Sequence, residues 1–239
     1  MIHLSSVKRW LRKRGYLVSR YDFRYDPIAV RDGFCESRRV NVIFDVGANT
    51  GQFALQLRAG GYRGKIVSFE PLFAAFHQLT EAAAHDPDWA VLNYALGSQE
   101  ASADINVANN SWSSSLLDML PAHTKAAPGS AYIGRERIMI KTLDSVFSDY
   151  CKSDDRAFLK IDTQGFTKRV LEGSEKSLAS VRGLQIEMSL VQLYEGEPLI
   201  DELVSFLRGR GFTLVYVFPE FFDERTGQEL QVNGLFFRL

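Results

Sequence analysis

From residue 41 onward, short apolar runs rich in Val, Ile and Phe alternate with stretches whose apolar residues recur every three or four positions. The runs predict strands over 41–46, 65–70, 89–94, 157–162 and 183–188. The periodic stretches predict helices over 52–60, 73–84, 168–180 and 200–210. Gly60-Gly61 and Gly211 end two of these helices. Nearly continuous apolar strands separated by helices form a parallel sheet covered on both faces.

The rhythm breaks twice. Residues 101–107 alternate as an antiparallel strand does, and "NNSWSSS" then reads as a polar loop. "LPAHTKAAPGSAYIG" reads as a long mobile connection, and "RIMIKTL" as a further strand. At the end of the chain, "TLVYVF" and "GLFFRL" follow each other without a helix between them, which predicts a hairpin and an antiparallel edge. The expectation is an α/β, Rossmann-like domain over 41–239, with an about seven-stranded, mainly parallel sheet, helices on both faces and an antiparallel C-terminal hairpin. Residues 101–142 are read as an insertion forming a substrate lid, and 1–40 as an N-terminal helical extension.

Composition narrows the partners. The net charge of -1 over 239 residues creates no overall field toward nucleic acid, and no basic stripe marks the domain, so a nucleic-acid partner is not expected. The two cysteines, Cys35 and Cys151, make no CxxC pattern, which fits a reducing, cytoplasmic setting. No apolar run approaches the ~18 residues that span a bilayer, and the N-terminus has no signal-peptide core. That N-terminus is basic (Lys8, Arg9, Arg12, Lys13, Arg14), with Leu4, Val7, Trp10 and Leu11 at helical spacing. Two readings stand: a helix packed on its own domain, or a peripheral contact with an anionic membrane surface.

Open parallel sheets bind ligands beyond the C-terminal ends of their strands. Asp45, Glu70, Asn93, Asp162 and Glu187 stand at those ends, where polar groups interrupt apolar runs. After the first strand comes Gly47-Ala48-Asn49-Thr50-Gly51. Its spacing fails the G-x-G-x-x-G fingerprint, and no P-loop lysine follows. Asp45, two residues before the first glycine, would repel a phosphate and attract a cation. Glu70 ends the second strand, where a carboxylate can accept both hydroxyls of a ribose. A nucleoside with a positive group and no phosphate fits this set, and S-adenosylmethionine has both features. On this reading the cofactor is held by Asp45, Gly47, Ala48, Asn49, Gly51, Glu70, Asn93, Ala95 and Asp162. The glycines leave room for the methionine part, Asp45 meets its amino group, and Asn93 meets the adenine.

The stretches "FDVGANTGQF", "VSFEP", "NYALG", "SSSLL", "KTLDS", "LKIDTQGFTKRVLEG", "LQIEMS" and "NGLFFRL" follow in an order that resembles the FkbM family of methyltransferases, over roughly 40–239. The resemblance implies a class I methyltransferase fold. It also implies transfer of a methyl group from S-adenosylmethionine to a hydroxyl of a sugar, a glycolipid glycan or a polyketide-type natural product. One position departs: Thr167 stands where the family pattern has an acid.

Moving a methyl group to an alcohol requires removal of the hydroxyl proton. The candidates are Asp162, Lys160 and Glu187, with His123 in reserve because a lone histidine in a Pro/Gly-containing loop reads as a surface residue. Asp162 is preferred, with Lys160 setting the local charge. Trp112 and Tyr132 either meet the acceptor or pin the lid. No His/Cys cluster suggests zinc, and no metal is expected. The competing classes are an NAD(P)-dependent oxidoreductase on a similar sheet and a non-catalytic nucleoside-binding module.

Overall fold

The computed structural model describes residues 4–239; the side chain of Leu4, one of the expected apolar positions of the N-terminal helix, lies outside what is described. The strands are β1 (Val42–Val46), β2 (Lys65–Phe69), β3 (Trp89–Leu92), β4 (Ala95–Leu96), β5 (Ala101–Ala108), β6 (Tyr132–Lys141), β7 (Ala157–Ile161), β8 (Val181–Ser189), β9 (Thr213–Asp223) and β10 (Gln228–Phe237). The helices are α1 (Leu4–Arg12), α2 (Pro27–Ser37), α3 (Gln52–Ala59), α4 (Phe73–Ala83), α5 (Pro121–Ala126), α6 (Leu143–Tyr150), α7 (Thr167–Glu172) and α8 (Ile200–Arg208).

Every residue of β1 and β7 is buried, because the two pair in parallel at the centre of a seven-stranded sheet ordered β3-β2-β1-β7-β8-β10-β9. Alternation along β1 sends Phe44 into the core on one face, with Leu159 and Leu184, and Ile43 into the core on the other, with Ile66 and Phe158. The fold is that of a class I methyltransferase, with β10 antiparallel to both β8 and β9. Most of the expected link inside the C-terminal hairpin continues the two strands, leaving a turn at 224–227 closed by Gly227 at φ 76°.

Residues 95–141 build a second, three-stranded sheet, β4-β6-β5, packed through Ile105, Ile138 and Ile140 onto Leu72 and onto Ala75 of α4. The segment expected to be an open connection is folded: it forms α5 and a single 3-10 turn, burying His123 and Ser130. Two boundaries also differ from the sequence pattern. α7 stops at Glu172 because Gly173 abuts the backbone of Gly97, where a Cβ would lie 1.9 Å from the carbonyl oxygen. α6 starts where a strand was expected to end, capped by Thr142, whose hydroxyl accepts the Ser145 N–H.

In the N-terminal part, α2 packs on the sheet through Cys35 and Phe34, whose ring stacks on Phe237 at 4.8 Å. α1 does not take the packed arrangement; Trp10 is 54% exposed. Among the described residues no helix is long and apolar enough to cross a membrane.

Gly47 has φ 74°, and a Cβ there would lie 1.8 Å from the Asp162 carbonyl oxygen. Gly47→Ala should therefore lower stability by roughly 2–4 kcal/mol in urea unfolding. Gly134→Ala, which meets open space, should stay within about 0.5 kcal/mol of the parent. A loss for Gly47→Ala no larger than for Gly134→Ala would contradict this packing.

Candidate functional site

The strand register sets one polar row across the apolar sheet: Ser68, Asp45, Lys160 and Gln185 are successive cross-strand partners. Asp45 is fully buried. Lys160 Nζ lies 3.1 Å from Asp45 Oδ1 and 3.5 Å from Asp162 Oδ2, and donates to the Gly47 carbonyl at 3.1 Å. The other Asp45 oxygen accepts the Ser68 hydroxyl, which in turn accepts the Trp89 indole N–H. Burial alone would lower the lysine pKa; Asp45 and Asp162 outweigh it and raise it above the ordinary value. Lys160 is therefore a fixed cation, which suits it to setting local charge and not to accepting a proton.

This corrects two sequence expectations. Asp45 does not line the cavity described below; its carboxylate answers Lys160 and Ser68. The glycines serve the chain: Gly47 lets the turn approach Asp162, and a Cβ on Gly51, at φ 92°, would press on Leu79 and Trp89.

The turn's amides are already paired. Gly47 and Ala48 both donate to Phe69 O at 3.1 and 3.0 Å, and Asn49 to Glu70 Oε2 at 2.8 Å. Thr50 donates to the Asn49 side chain and Gly51 to Ala48 O. A pyrophosphate would find no free N–H here. Glu70 also accepts the Leu72 N–H at 2.9 Å through its second oxygen. Burial raises its pKa to about 7, partly offset by these two hydrogen bonds.

Around this turn lies a cavity of about 570 Å³. It is walled by Gly47, Ala48, Asn49, Glu70, Leu72 and Ala95, with Ser111, Trp112 and Ser115 from the insertion. The lining also includes Asp162, Glu187 and Glu220 with Gln185 and Asn233, and Arg31, Phe53 and Gln56. Asn93 is exposed and outside the lining; its amide ties down the turn after β2 by donating to Glu70 O and Pro71 O. Trp112 lines the cavity, whereas Tyr132 donates to Leu117 O and holds the insertion in shape. Thr167 opens α7 and is buried, so that position carries no charge.

Gln164 links the two carboxylates. Its Nε2 donates to Asp162 Oδ1 at 3.0 Å and to Glu187 Oε2 at 3.1 Å. Its Oε1 accepts from the Tyr194 hydroxyl at 2.8 Å, and that oxygen lies 3.2 Å from His123 Nε2, whose Nδ1 is 3.0 Å from Ser130 Oγ. The Tyr194 hydroxyl has a further acceptor in Ser113 O at 3.3 Å, and the Ser130 hydroxyl donates to Ala127 O at 2.6 Å. His123 is thus buried, not superficial, and burial lowers its pKa to about 4. Glu187 is pushed well above the usual carboxylate range by burial and by Asp162 and Glu220 nearby. Among the described residues no three acidic, His or Cys groups converge as metal ligands; the Gln164 amide sits between Asp162 and Glu187 instead.

Sequence reasoning missed Gln164, Tyr194, Glu220, Gln185, Asn233 and Arg31. Gln164 carried a signal: it lies two residues after Asp162 at the fourth parallel strand's end and precedes a glycine. Glu220 and Asn233 are neighbours only through the hairpin, where Asn233 Nδ2 donates to Glu220 Oε2.

The methyltransferase FkbM domain matches this chain over residues 45–214. Among solved structures, an rRNA methylase from Streptococcus thermophilus aligns at TM-score 0.48 and 13% identity, over 94% of this chain and 99% of that one. TrmK of M. capricolum with S-adenosylhomocysteine aligns at TM-score 0.48 and 6% identity, over 87% of this chain and 66% of that one. An uncharacterized protein from Listeria monocytogenes aligns at 0.49 and 8%, over 92% and 69%. At such identities none of them assigns an acceptor to this chain. No curated protein matches it.

Lys160→Met would strand a buried Asp45 carboxylate and should cost about 3–5 kcal/mol in chemical unfolding. Adding Asp45→Asn should restore at least half of that loss. Equal losses in the single and double variants would show that the pair is not what Lys160 supplies.

Proposed function

The chain belongs to the FkbM methyltransferase family, and we propose that it methylates a hydroxyl oxygen of a polyhydroxylated acceptor: a sugar, a glycolipid glycan or a polyketide-type natural product. The observation behind this reading is the polar part of the cavity lining, Asp162, Glu187 and Glu220 with Gln185 and Asn233. Carboxyl groups and amides hydrogen-bond hydroxyls well, and an ionised Asp162 beside the acceptor repels a phosphodiester backbone. That repulsion is the ground for excluding a nucleic-acid acceptor.

S-adenosylmethionine is the cofactor of this family, and it supplies an electrophilic methyl group on a sulfonium. The residues present fit it. Glu70 faces the cavity with lone pairs left for a ribose diol, and the buried hydroxyl of Thr163, which also lines the cavity, has no partner within the protein. The turn's paired amides suit a nucleoside without a pyrophosphate and disfavour a nicotinamide dinucleotide.

In the proposed division of labour, Asp162 orients the acceptor hydroxyl and takes its proton. Its side chain is 40% exposed and so within reach of an acceptor. Lys160 and Gln164 fix its two oxygens from opposite sides. Glu187, with its raised pKa, favours the protonated form and donates to a neighbouring acceptor oxygen. The 101–142 insertion, which contributes Ser111, Trp112 and Ser115 to the wall, serves as the lid.

Asp162→Asn should bind S-adenosylhomocysteine within about three-fold of the parent by calorimetry, and lose about a hundred-fold or more of turnover. The product should be a methyl ether by NMR, in a screen of sugar and glycolipid acceptors. Transfer to nitrogen or to RNA in that screen would reject the hydroxyl reading.

A pH dependence follows from Glu70. Its folded-state pKa is raised from 4.5 to about 7, so its contribution to stability is full below pH 4.5 and is lost as pH climbs through 7. Accepting both ribose hydroxyls requires the ionised form. S-adenosylhomocysteine should therefore bind about ten-fold more tightly at pH 8 than at pH 6, and Glu70→Gln should flatten that profile and weaken binding. A profile that stays steep in Glu70→Gln would move the dependence to another group.

A further inference from the structure

The N-terminal segment is unlike the rest of the surface. Trp10, Tyr16, Leu17, Tyr21, Phe23 and Tyr25 each leave more than half of their area in water. A run of exposed aromatic and aliphatic side chains in one short segment marks an interaction surface. Charge is sorted in the same way. Residues 5–25 carry seven Lys and Arg against one acid, Asp22, while the remainder of the chain carries 21 against 28. Along α1 the basic residues Lys8, Arg9 and Arg12 share one side, and Val7, Trp10 and Leu11 share the other. Arg14 lies over the Trp10 ring at 3.7 Å, keeping a cation beside the apolar side.

The segment is also attached at a defined place. The Tyr216 hydroxyl on β9 donates to Arg24 O at 2.9 Å, and Asp26 caps α2 through the Ile28 and Ala29 amides. Immediately after it, Pro27, Ile28 and Arg31 line the cavity. The exposed surface therefore sits beside one wall of the site.

We propose that residues 5–25 dock the protein on an anionic lipid bilayer, with the cavity held next to the membrane. Basic side chains meet the headgroups, and Trp, Tyr, Phe and Leu enter the interfacial layer, where amphipathic aromatics are favoured. The acidic remainder of the chain is repelled by the same surface, which fixes the orientation. Nucleic acid would also take basic and aromatic groups. Leu17 and Val18 gain nothing from phosphates or bases, however, and the cavity's carboxylates oppose a polyanion. The inference does not depend on which hydroxyl is methylated.

The test is cosedimentation of the full chain with vesicles of phosphatidylcholine plus phosphatidylglycerol, and with vesicles of phosphatidylcholine alone. Binding should be at least about ten-fold tighter to the anionic vesicles. The triple variant K8Q/R9Q/R12Q should lose that preference, and W10S/L17S, at unchanged charge, should weaken binding about ten-fold. Both variants should keep the melting-temperature rise given by S-adenosylhomocysteine, which shows that they are folded. The proposal is overturned by equal or absent binding to the two vesicle types. Parental vesicle binding by W10S/L17S, or tighter binding to single-stranded polyuridine than to vesicles, would overturn it as well.

Discussion

Asp45 and Lys160 face each other across the β1–β7 pairing at a depth where neither charge can be left alone. Removing two ions from water is costly, and the attraction between them is what offsets it. Lys160 Nζ stands 3.1 Å from Asp45 Oδ1, an oxygen with no hydrogen bond of its own. Ser68 serves the far oxygen of Asp45, while the lysine's other contacts are Gly47 O and Asp162. One ammonium therefore ties the floor of the sheet to the glycine turn and to the carboxylate at the next strand end. The polar row can survive in an apolar sheet because its charges cancel within it.

Two consequences follow for the cavity. The turn is held without help from a ligand, since its amides are satisfied by Phe69, Glu70, Asn49 and Ala48. Asp162 and Glu187 are also held, through Gln164, by a hydrogen-bonded chain that runs by way of Tyr194 to His123 and Ser130 in the insertion. The insertion is thus bonded to the groups proposed to handle the acceptor, and a shift of α5 would be felt at Gln164. Desolvated carboxylates with raised pKa values, Glu70, Glu187 and Glu220, gather around this one cavity.

The parallel core was legible because β-branched runs and helical periodicity are local signals, and the strand-end carboxylates stood out against apolar neighbours. What each carboxylate touches was not legible. Asp45 looked like a ligand for a cation and proved to have its cation on its direct cross-strand partner, Lys160, because register is a property of the folded sheet. Asn93 looked like a base reader and instead holds a turn. His123 looked superficial because a Pro/Gly-rich segment hides its own folding; Leu193, Tyr194 and Leu230 supply the cluster beneath it, from far along the chain. Glu220 was invisible for the same reason, being brought to the site by the C-terminal hairpin.

The most direct measurement is a crystal structure of the chain with S-adenosylhomocysteine. The ribose hydroxyls should lie on Glu70 and the sulfur should face Asp162, with the 47–51 turn and the Asp45–Lys160 pair unchanged. A nucleoside bound away from Glu70, or a rearranged turn whose amides meet the ligand while Asp45 abandons Lys160 to do the same, would contradict this assignment.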